Sequence, residues 1–218
     1  MAAPRPYGLR YRDFAWNHNA HYHDMLLRHV PPGAERALDV GCGDGRFARR
    51  LALRGLEVDA IDPDAGILDL ARERTPGRLD VHYTAAPLAG IDLEPGAYDF
   101  ISAIASLHHM PFPDALRRLD AALAPGGVLA VLGLYREDTA TDRAAGLAAL
   151  PAQWATAAGL KAARLLTGVP DPAYLSDMRT ADPEMTLHRI AAEAGRVLPG
   201  VRVRRHLYWR YSLVYVRP

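Results

Sequence analysis

Apolar and polar positions alternate in blocks along most of the chain. Short apolar runs at 36–40 (RALDV), 56–61 (LEVDAI), 79–83 (LDVHY), 98–104 (YDFISAI) and 127–134 (GVLAVLGL) are bounded by glycine, proline or charged residues, which marks buried strands. Between them, 45–54, 64–74 and 113–123 read as helices. This β-α-β-α order predicts an α/β doubly wound, mostly parallel sheet with right-handed crossovers and helices on both faces.

The pattern loosens at both ends. Residues 1–16 contain Pro4, Pro6 and Gly8 and read as an arm, and 17–30 (NHNAHYHDMLLRHV) as a helix ended by Pro31 and Pro32. After about 135 the alternation stops. Alanine-rich segments at 141–149 and 151–166 predict a helical insertion, 135–180, over the sheet's C-terminal edge, where such folds bind ligands. Asp182, Pro183 and Glu184 have the chemistry of a helix start, with the helix running to about Val197. Residues 201–208 and 211–216 follow as two neighbouring, antiparallel strands.

At 218 residues the chain is expected to be one domain, with 1–33 as an N-terminal lid or helix, 34–134 as the core and 181–218 as a last helix and strand pair. An apolar fraction of 50% and a charged fraction of 23% are ordinary for a globular protein. A net charge of +1 offers no general attraction to nucleic acid or anionic membranes. Arginines do crowd the C-terminal end (Arg196, Arg202, Arg204, Arg205, Arg210, Arg217), but alternation of Arg202 and Arg204 with Val201 and Val203 suits a solvated strand face better than an RNA-binding field. A lone cysteine, Cys42, excludes an internal disulfide. The N-terminus lacks the apolar core of a signal peptide, and no stretch approaches the roughly 20 apolar residues of a membrane helix. These features predict a cytoplasmic protein.

The chemistry concentrates at Leu38-Asp39-Val40-Gly41-Cys42-Gly43-Asp44-Gly45. A strand ends in a glycine-rich turn that opens a helix, so main-chain N–H groups can approach a ligand closely. Asp62, at the end of the second strand, is placed to accept hydrogen bonds from ribose hydroxyls or else to cap the next helix. A nicotinamide fingerprint would need G-x-G-x-x-G, and its third glycine position is Arg46 here. Cys42 reads as a space-saving side chain rather than a nucleophile.

Asp39 followed by Gly41, Gly43 and Gly45 resembles motif I of the class I methyltransferases. Tyr98 to Met110 and Leu123 to Leu129 resemble the segments around strands four and five of small-molecule members. The resemblance spans about 34–134 and implies a Rossmann-like sheet of about seven strands with an antiparallel C-terminal strand. It implies S-adenosyl-L-methionine as cofactor and a small-molecule acceptor, with oxygen, nitrogen or carbon methylation left open. Gly41, Cys42 and Gly43 would face its methionine part with Asp39 supporting the loop. Asp62 would hold the ribose, with Pro63 or Asp64 beside the adenine, and Ala103 and Ile104 would lie under the methionyl group and the sulfonium. An acidic residue common after strand three is replaced by Thr84-Ala85-Ala86-Pro87, which leaves main-chain groups near Ala86 for adenine.

Methyl transfer demands placement and exclusion of water more than a catalytic group; a base is needed only for a protonated acceptor. His108 and His109 are the candidate bases, although either ring could simply pack. His18 and Tyr22 share a helix face and are candidate lid residues, and Trp154 is a candidate for lining the acceptor pocket. The histidine spacing at 18, 21 and 23 fits no zinc pattern. A nicotinamide oxidoreductase, or a non-catalytic cofactor-binding protein of this fold, are the other readings.

Overall fold

Parallel strands buried on both faces need near-continuous apolar runs, and the first strand has one. In the computed structural model, which describes residues 19–139, 183–207 and 209–218, β1 (Arg36–Val40) buries Ala37, Leu38, Asp39 and Val40 at the centre of a seven-stranded sheet. Its partners are β2 (Glu57–Asp62) and β4 (Tyr98–Ile104), both parallel. Outside them lie β3 (Val81–Ala85) and β5 (Leu123–Leu134). The order is β3-β2-β1-β4-β5-β7-β6, with β7 (Arg210–Val216) antiparallel to both β5 and β6 (Arg202–His206). The expected fold class is therefore the observed one, with a single strand, β7, reversed.

Helices cover both faces. α1 (His23–Leu27), α2 (Arg46–Ala52) and α3 (Ala65–Arg74) pack on one side through Leu26, Leu27, Phe47, Leu51 and Leu68. On the other side α4 (Phe112–Ala122) and α5 (Leu187–Val197) contribute Leu116, Leu119, Ile190 and Ala194. Local chemistry explains their starts. The Asp64 carboxylate caps α3 by accepting from Gly66 and Ile67 N–H groups at 2.9 and 3.2 Å.

β3 lies two residues later than the expected 79–83, the helix expected at 45–54 covers Arg46–Ala52, and three further boundaries differ more. The N-terminal helix is a 3-10 turn (Ala20–Tyr22) followed by the five residues of α1, because the buried stripe ends at Leu27. The start of α5 is Leu187, capped by Thr186, and not the Asp182-Pro183 pair. Main-chain pairing of Arg136 with Met185 and Thr186 keeps that stretch extended. Strand β5 begins at Leu123, and its register with β4 shifts between Tyr98 and Phe100 to accommodate Pro125-Gly126-Gly127. Most of the expected 135–180 insertion lies outside the described residues, as do Asp182, His18 and Trp154.

The connection direction reverses between β1 and β4, and α/β sheets bind ligands in the crevice that opens at such a point.

Candidate active site

The crevice is built by the turn that leaves β1. Gly41 and Cys42 both donate to the Ile61 carbonyl of β2, at 2.8 and 3.0 Å, which draws the turn over the ends of the two strands. Gly41 has φ of +70°, and a β-carbon there would lie 2.3 Å from Ser106 Cβ, so only glycine fits. Beyond it, the Gly43 N–H donates to Asp62 Oδ2 at 2.9 Å, while Asp64 N–H donates to Asp62 Oδ1 at 3.0 Å. Asp62 thus joins the glycine turn to the end of β2. Arg74 and Arg49 hold the outer side, through the Asp44 carboxylate at 3.1 Å and carbonyl at 2.6 Å.

A cleft opens against this turn, lined by Asp39, Gly41, Cys42, Gly43, Asp44, Arg46, Phe47 and Ile104, and closed by Asn19 and His23 from the N-terminal turn and α1. Asp39 is buried at its base. Its Oδ1 accepts from Ser102 Oγ at 2.7 Å, and its Oδ2 has no hydrogen-bond partner. Burial pushes its carboxyl up to about 7; the Ser102 bond and the Ala48 N–H oppose the shift, and Asp62 and Asp44 add to it. Burial and neighbouring Arg50 and Arg46 hold His23 down to about 3, so it is a neutral ring, edge-on to Phe47 at 4.9 Å. Burial, with the Asp39 charge, pushes the Cys42 thiol far up, which removes it as a nucleophile.

The residues read from the sequence fall into three groups. Asp39, Gly41, Cys42, Gly43 and Ile104 line the cleft, and Asp62 adjoins it through Gly43. Ala103 does not line it. Strand alternation turns Ala103 into the core on the opposite face, where it is wholly buried, and leaves Ile104 at the cleft. Pro63 is exposed beside Asp62, and the Ala86 N–H already donates to the Asp62 carbonyl at 3.1 Å, so that donor is not left for an adenine ring. Tyr22 also stays out of the cleft. Its hydroxyl donates to the Leu207 carbonyl at 3.0 Å and its ring meets His206 at 5.2 Å.

His108 and His109 follow β4 on a 3-10 turn with ring centroids 4.0 Å apart. His109 is exposed. His108 is half-buried with an unpartnered Nδ1, and burial, His109 and Arg210 hold it down to about 4. Asn19 and His23, each one position beyond a lid candidate, line the cleft from the N-terminal segment, and Arg46 and Phe47 line it, and Ser102 bonds Asp39, without a sequence signal for those roles. Among the described residues no group of three or more His, Cys, Asp or Glu side chains could hold a metal ion, and no helix is long and apolar enough to cross a membrane.

These donor and acceptor groups fit an adenosyl ligand with a charged amino end. Asp39, one of whose buried carboxylate oxygens has no hydrogen-bond partner, is among the residues that line the cleft, and a second carboxylate stands at the neighbouring strand end. Known proteins agree on the class. Residues 38–129 match a family described as a methyltransferase domain. A methyltransferase of uncharacterised activity from Mycobacterium tuberculosis is 32% identical over 217 residues, covering 94% of this chain and 99% of its own. The trans-aconitate 2-methyltransferase of Paracidovorax citrulli is 36% identical over 157 residues, covering 70% of this chain and 59% of its own. In fold, a solved S-adenosylmethionine-dependent methyltransferase from Aquifex aeolicus matches with a TM-score of 0.60 at 16% identity, over 96% of this chain and 93% of that one. The fold and site are those of a class I, S-adenosylmethionine-dependent methyltransferase. The chain belongs to the methyltransferase family, and nothing supports the nicotinamide reading, whose third glycine is replaced by the cleft residue Arg46.

Proposed function

We propose that this enzyme moves the methyl group of S-adenosyl-L-methionine to a small-molecule acceptor, with Asp39 and Asp62 as the two anchors of the cofactor. The observation that carries this reading is the unpartnered Asp39 Oδ2, buried at the base of the cleft. A carboxylate left in that state is costly without a cationic partner, and the cofactor's ammonium group is one. Asp62 accepts the ribose hydroxyls with the lone pairs that Gly43 and Asp64 leave over. Main-chain groups of Gly41 and Gly43 face the methionine part, Cys42 fills the space behind them, and Pro63 lies beside the adenine, whose recognition passes to groups near Ala86 other than its N–H.

When bound, S-adenosyl-L-methionine supplies a methyl group already activated by the sulfonium. What remains for the chain is to place the acceptor in line with it and to exclude water. Ile104 forms the apolar floor at the end of β4. His108, neutral at physiological pH and with an unpartnered Nδ1, is our candidate to take a proton from an acceptor that carries one. Small-molecule transfer is supported by the relatives' own activities, which include the trans-aconitate enzyme and a ubiquinone biosynthesis O-methyltransferase of Chromobacterium violaceum, 33% identical over 107 residues. In this reading the chain is one cytoplasmic domain, and neither nucleic acid nor membrane is a partner.

The test is transfer of label from methyl-tritiated S-adenosylmethionine into a panel of phenols, organic acids and amines. Label in at least one compound, lost in the Asp39→Ala and Asp62→Ala variants, is the expected result. Transfer only to RNA or protein would contradict the acceptor class.

A further inference from the structure

Three carboxylates meet at the cofactor cleft. Asp39 and Asp44 line it, and Asp62 adjoins it through Gly43. Like charges in one partly buried cleft work against one another, because each ionised group raises the cost of ionising the next. The cations and donors around them therefore decide which carboxylate stays charged. Helix α3 acts on two of them, one at each of its ends. At its start the Asp64 N–H donates to Asp62 Oδ1 at 3.0 Å. Its last residue, Arg74, donates from Nη1 to Asp44 Oδ2 at 3.1 Å. The Arg74 and Asp44 side chains are only 19% and 15% exposed, so this pair is screened far less than one on the surface. Arg74 is not among the residues that line the cleft.

The main chain of the turn is held from the same side. Arg49, itself buried, donates to the Asp44 carbonyl at 2.6 Å. Thr75, directly after Arg74, donates from Oγ1 to Ala71 O at 2.7 Å and meets Tyr83 Oη at 2.9 Å. That hydroxyl stands where a β-carbon on Gly45 would lie. Asp44 is thus gripped at its carboxylate by Arg74 and at its carbonyl by Arg49, and the glycine after it is backed by the Thr75–Tyr83 contact. Around Asp39 stand Ser102 on β4, the Ala48 N–H of α2, the Cys42 thiol, Asp62 on β2 and Asp44, with Arg46 and the neutral His23 in the same cleft wall.

We propose that Arg74 is a positioning residue for the cofactor. Acting through Asp44, it fixes the glycine turn and takes up a charge that would otherwise oppose Asp39, so that Asp39 stays ionised for the cofactor's ammonium group. A guanidinium suits the task because it stays charged and bonds a carboxylate with directed donors. Burial already pushes the Asp39 carboxyl up to about 7, and Asp62 and Asp44 add to the rise. An Asp44 charge deprived of Arg74 would push it further, and the cofactor would lose its ionised partner at a higher pH. This inference rests on the proposed role of Asp39 and adds the residue that maintains it.

The experiment titrates S-adenosylhomocysteine into wild type, Arg74→Gln, Arg74→Lys, Asp44→Asn and the double variant Arg74→Gln/Asp44→Asn, across a pH series from 6 to 8.5. Arg74→Gln should weaken binding about fivefold at pH 7 and raise the pH at which binding is half lost by about half a unit. Arg74→Lys should keep the wild-type midpoint. Asp44→Asn should lower it, and the double variant should lie between the two single ones. A merely structural brace would cost the same affinity at every pH and would not be repaired by Asp44→Asn; that result would overturn the proposal, as would wild-type affinity and midpoint in Arg74→Gln. If thermal melting shows that Arg74→Gln does not fold, Asp44→Asn decides: a lowered midpoint upholds the proposal and an unmoved one overturns it. Wild-type binding that ignores pH would instead strike the Asp39 reading. Arg74 would then be judged by affinity at pH 8, where a loss in Arg74→Gln restored in Arg74→Lys upholds the positioning role and unchanged affinity overturns it.

Discussion

Ser102 Oγ donates a 2.7 Å hydrogen bond to Asp39 Oδ1, and the two residues are register partners on β4 and β1. The bond fixes one carboxylate oxygen in the buried middle of the sheet and leaves the other, Oδ2, buried without a hydrogen-bond partner in a residue that lines the cleft. Ser102→Ala should therefore weaken S-adenosylhomocysteine binding by roughly 0.5–1.5 kcal/mol, the scale of one hydrogen bond. It should also raise the pH at which binding is half lost, because the Ser102 bond opposes the upward shift of Asp39. Calorimetric titration at several pH values measures both; unchanged affinity and midpoint would remove Ser102 from the site.

Asp39 itself makes binding depend on pH. Its carboxyl is pushed up to about 7, chiefly by burial, from an ordinary value near 3.8. The ionised form attracts the cofactor's ammonium group, so affinity should be full near pH 8 and decline as pH falls through 7 toward 6. Stability of the apo-protein should move the other way. A carboxyl more basic when folded than when unfolded stabilises the fold at low pH, and that contribution is lost as pH rises from about 4 through 7. Asp39→Asn should accordingly raise the apo-protein's thermal midpoint at pH 8 while weakening S-adenosylhomocysteine binding. A variant that is less stable and still binds would show that Asp39 is structural.

Asp62 serves the turn as well as the ligand. Asp62→Ala should cost about 1–3 kcal/mol of cofactor affinity, the range for charged hydrogen bonds, and should also lower the thermal midpoint, since Gly43 and Asp64 lose their acceptor. Asp62→Asn keeps one acceptor oxygen and should fall between. A variant with lowered stability but wild-type affinity would assign Asp62 to the turn alone.

The glycines of the turn differ in tolerance. A β-carbon at Gly41 meets Ser106 Cβ at 2.3 Å, an atom fixed close to its own main chain, and Ser106 Oγ is tied to Val40 O at 2.7 Å. At Gly45 the obstacle is Tyr83 Oη at 2.1 Å, the far end of a side chain. Both glycines have positive φ, so both alanine variants are strained. Gly41→Ala should destabilise more than Gly45→Ala, and Tyr83→Phe should partly relieve only the latter. Equal losses in chemical denaturation would contradict this ranking.

His108 should give no titration to the turnover profile between pH 5 and 8, because burial, His109 and Arg210 hold it down to about 4. His108→Ala should lower kcat with little change in cofactor affinity, if the acceptor delivers a proton. Exposed His109 should matter less. Full turnover in His108→Ala across that range would end its role as a base.

The apolar runs located the central strands of the sheet, because a parallel strand buried on both faces has no other way to be written. The glycine turn and Asp62 were legible for a related reason: a strand end, a tight turn and a helix start lie within a few residues of one another. What escaped depends on distant partners. Ser102 is an unremarked serine in an apolar run, and it acquires its role only when β4 pairs with β1. Asn19 and Arg210 are 191 positions apart, and only the return of β7 beside β5 joins them. Ala103 and Ile104 are adjacent in sequence, but the pleat sends their side chains to opposite faces, so only Ile104 reaches the cleft. The Thr186 cap was hidden because pairing with Arg136 overrides the local helix-start signal at Asp182-Pro183.

The most direct test of the cofactor site is calorimetric titration of wild type and Asp39→Asn with S-adenosylhomocysteine at pH 8 and pH 6, with NADH in parallel. The account predicts micromolar binding to wild type that weakens at pH 6, weak and pH-insensitive binding to Asp39→Asn, and no heat from NADH. Wild-type affinity that ignores both pH and the Asp39 substitution, or binding of NADH in place of S-adenosylhomocysteine, would contradict it.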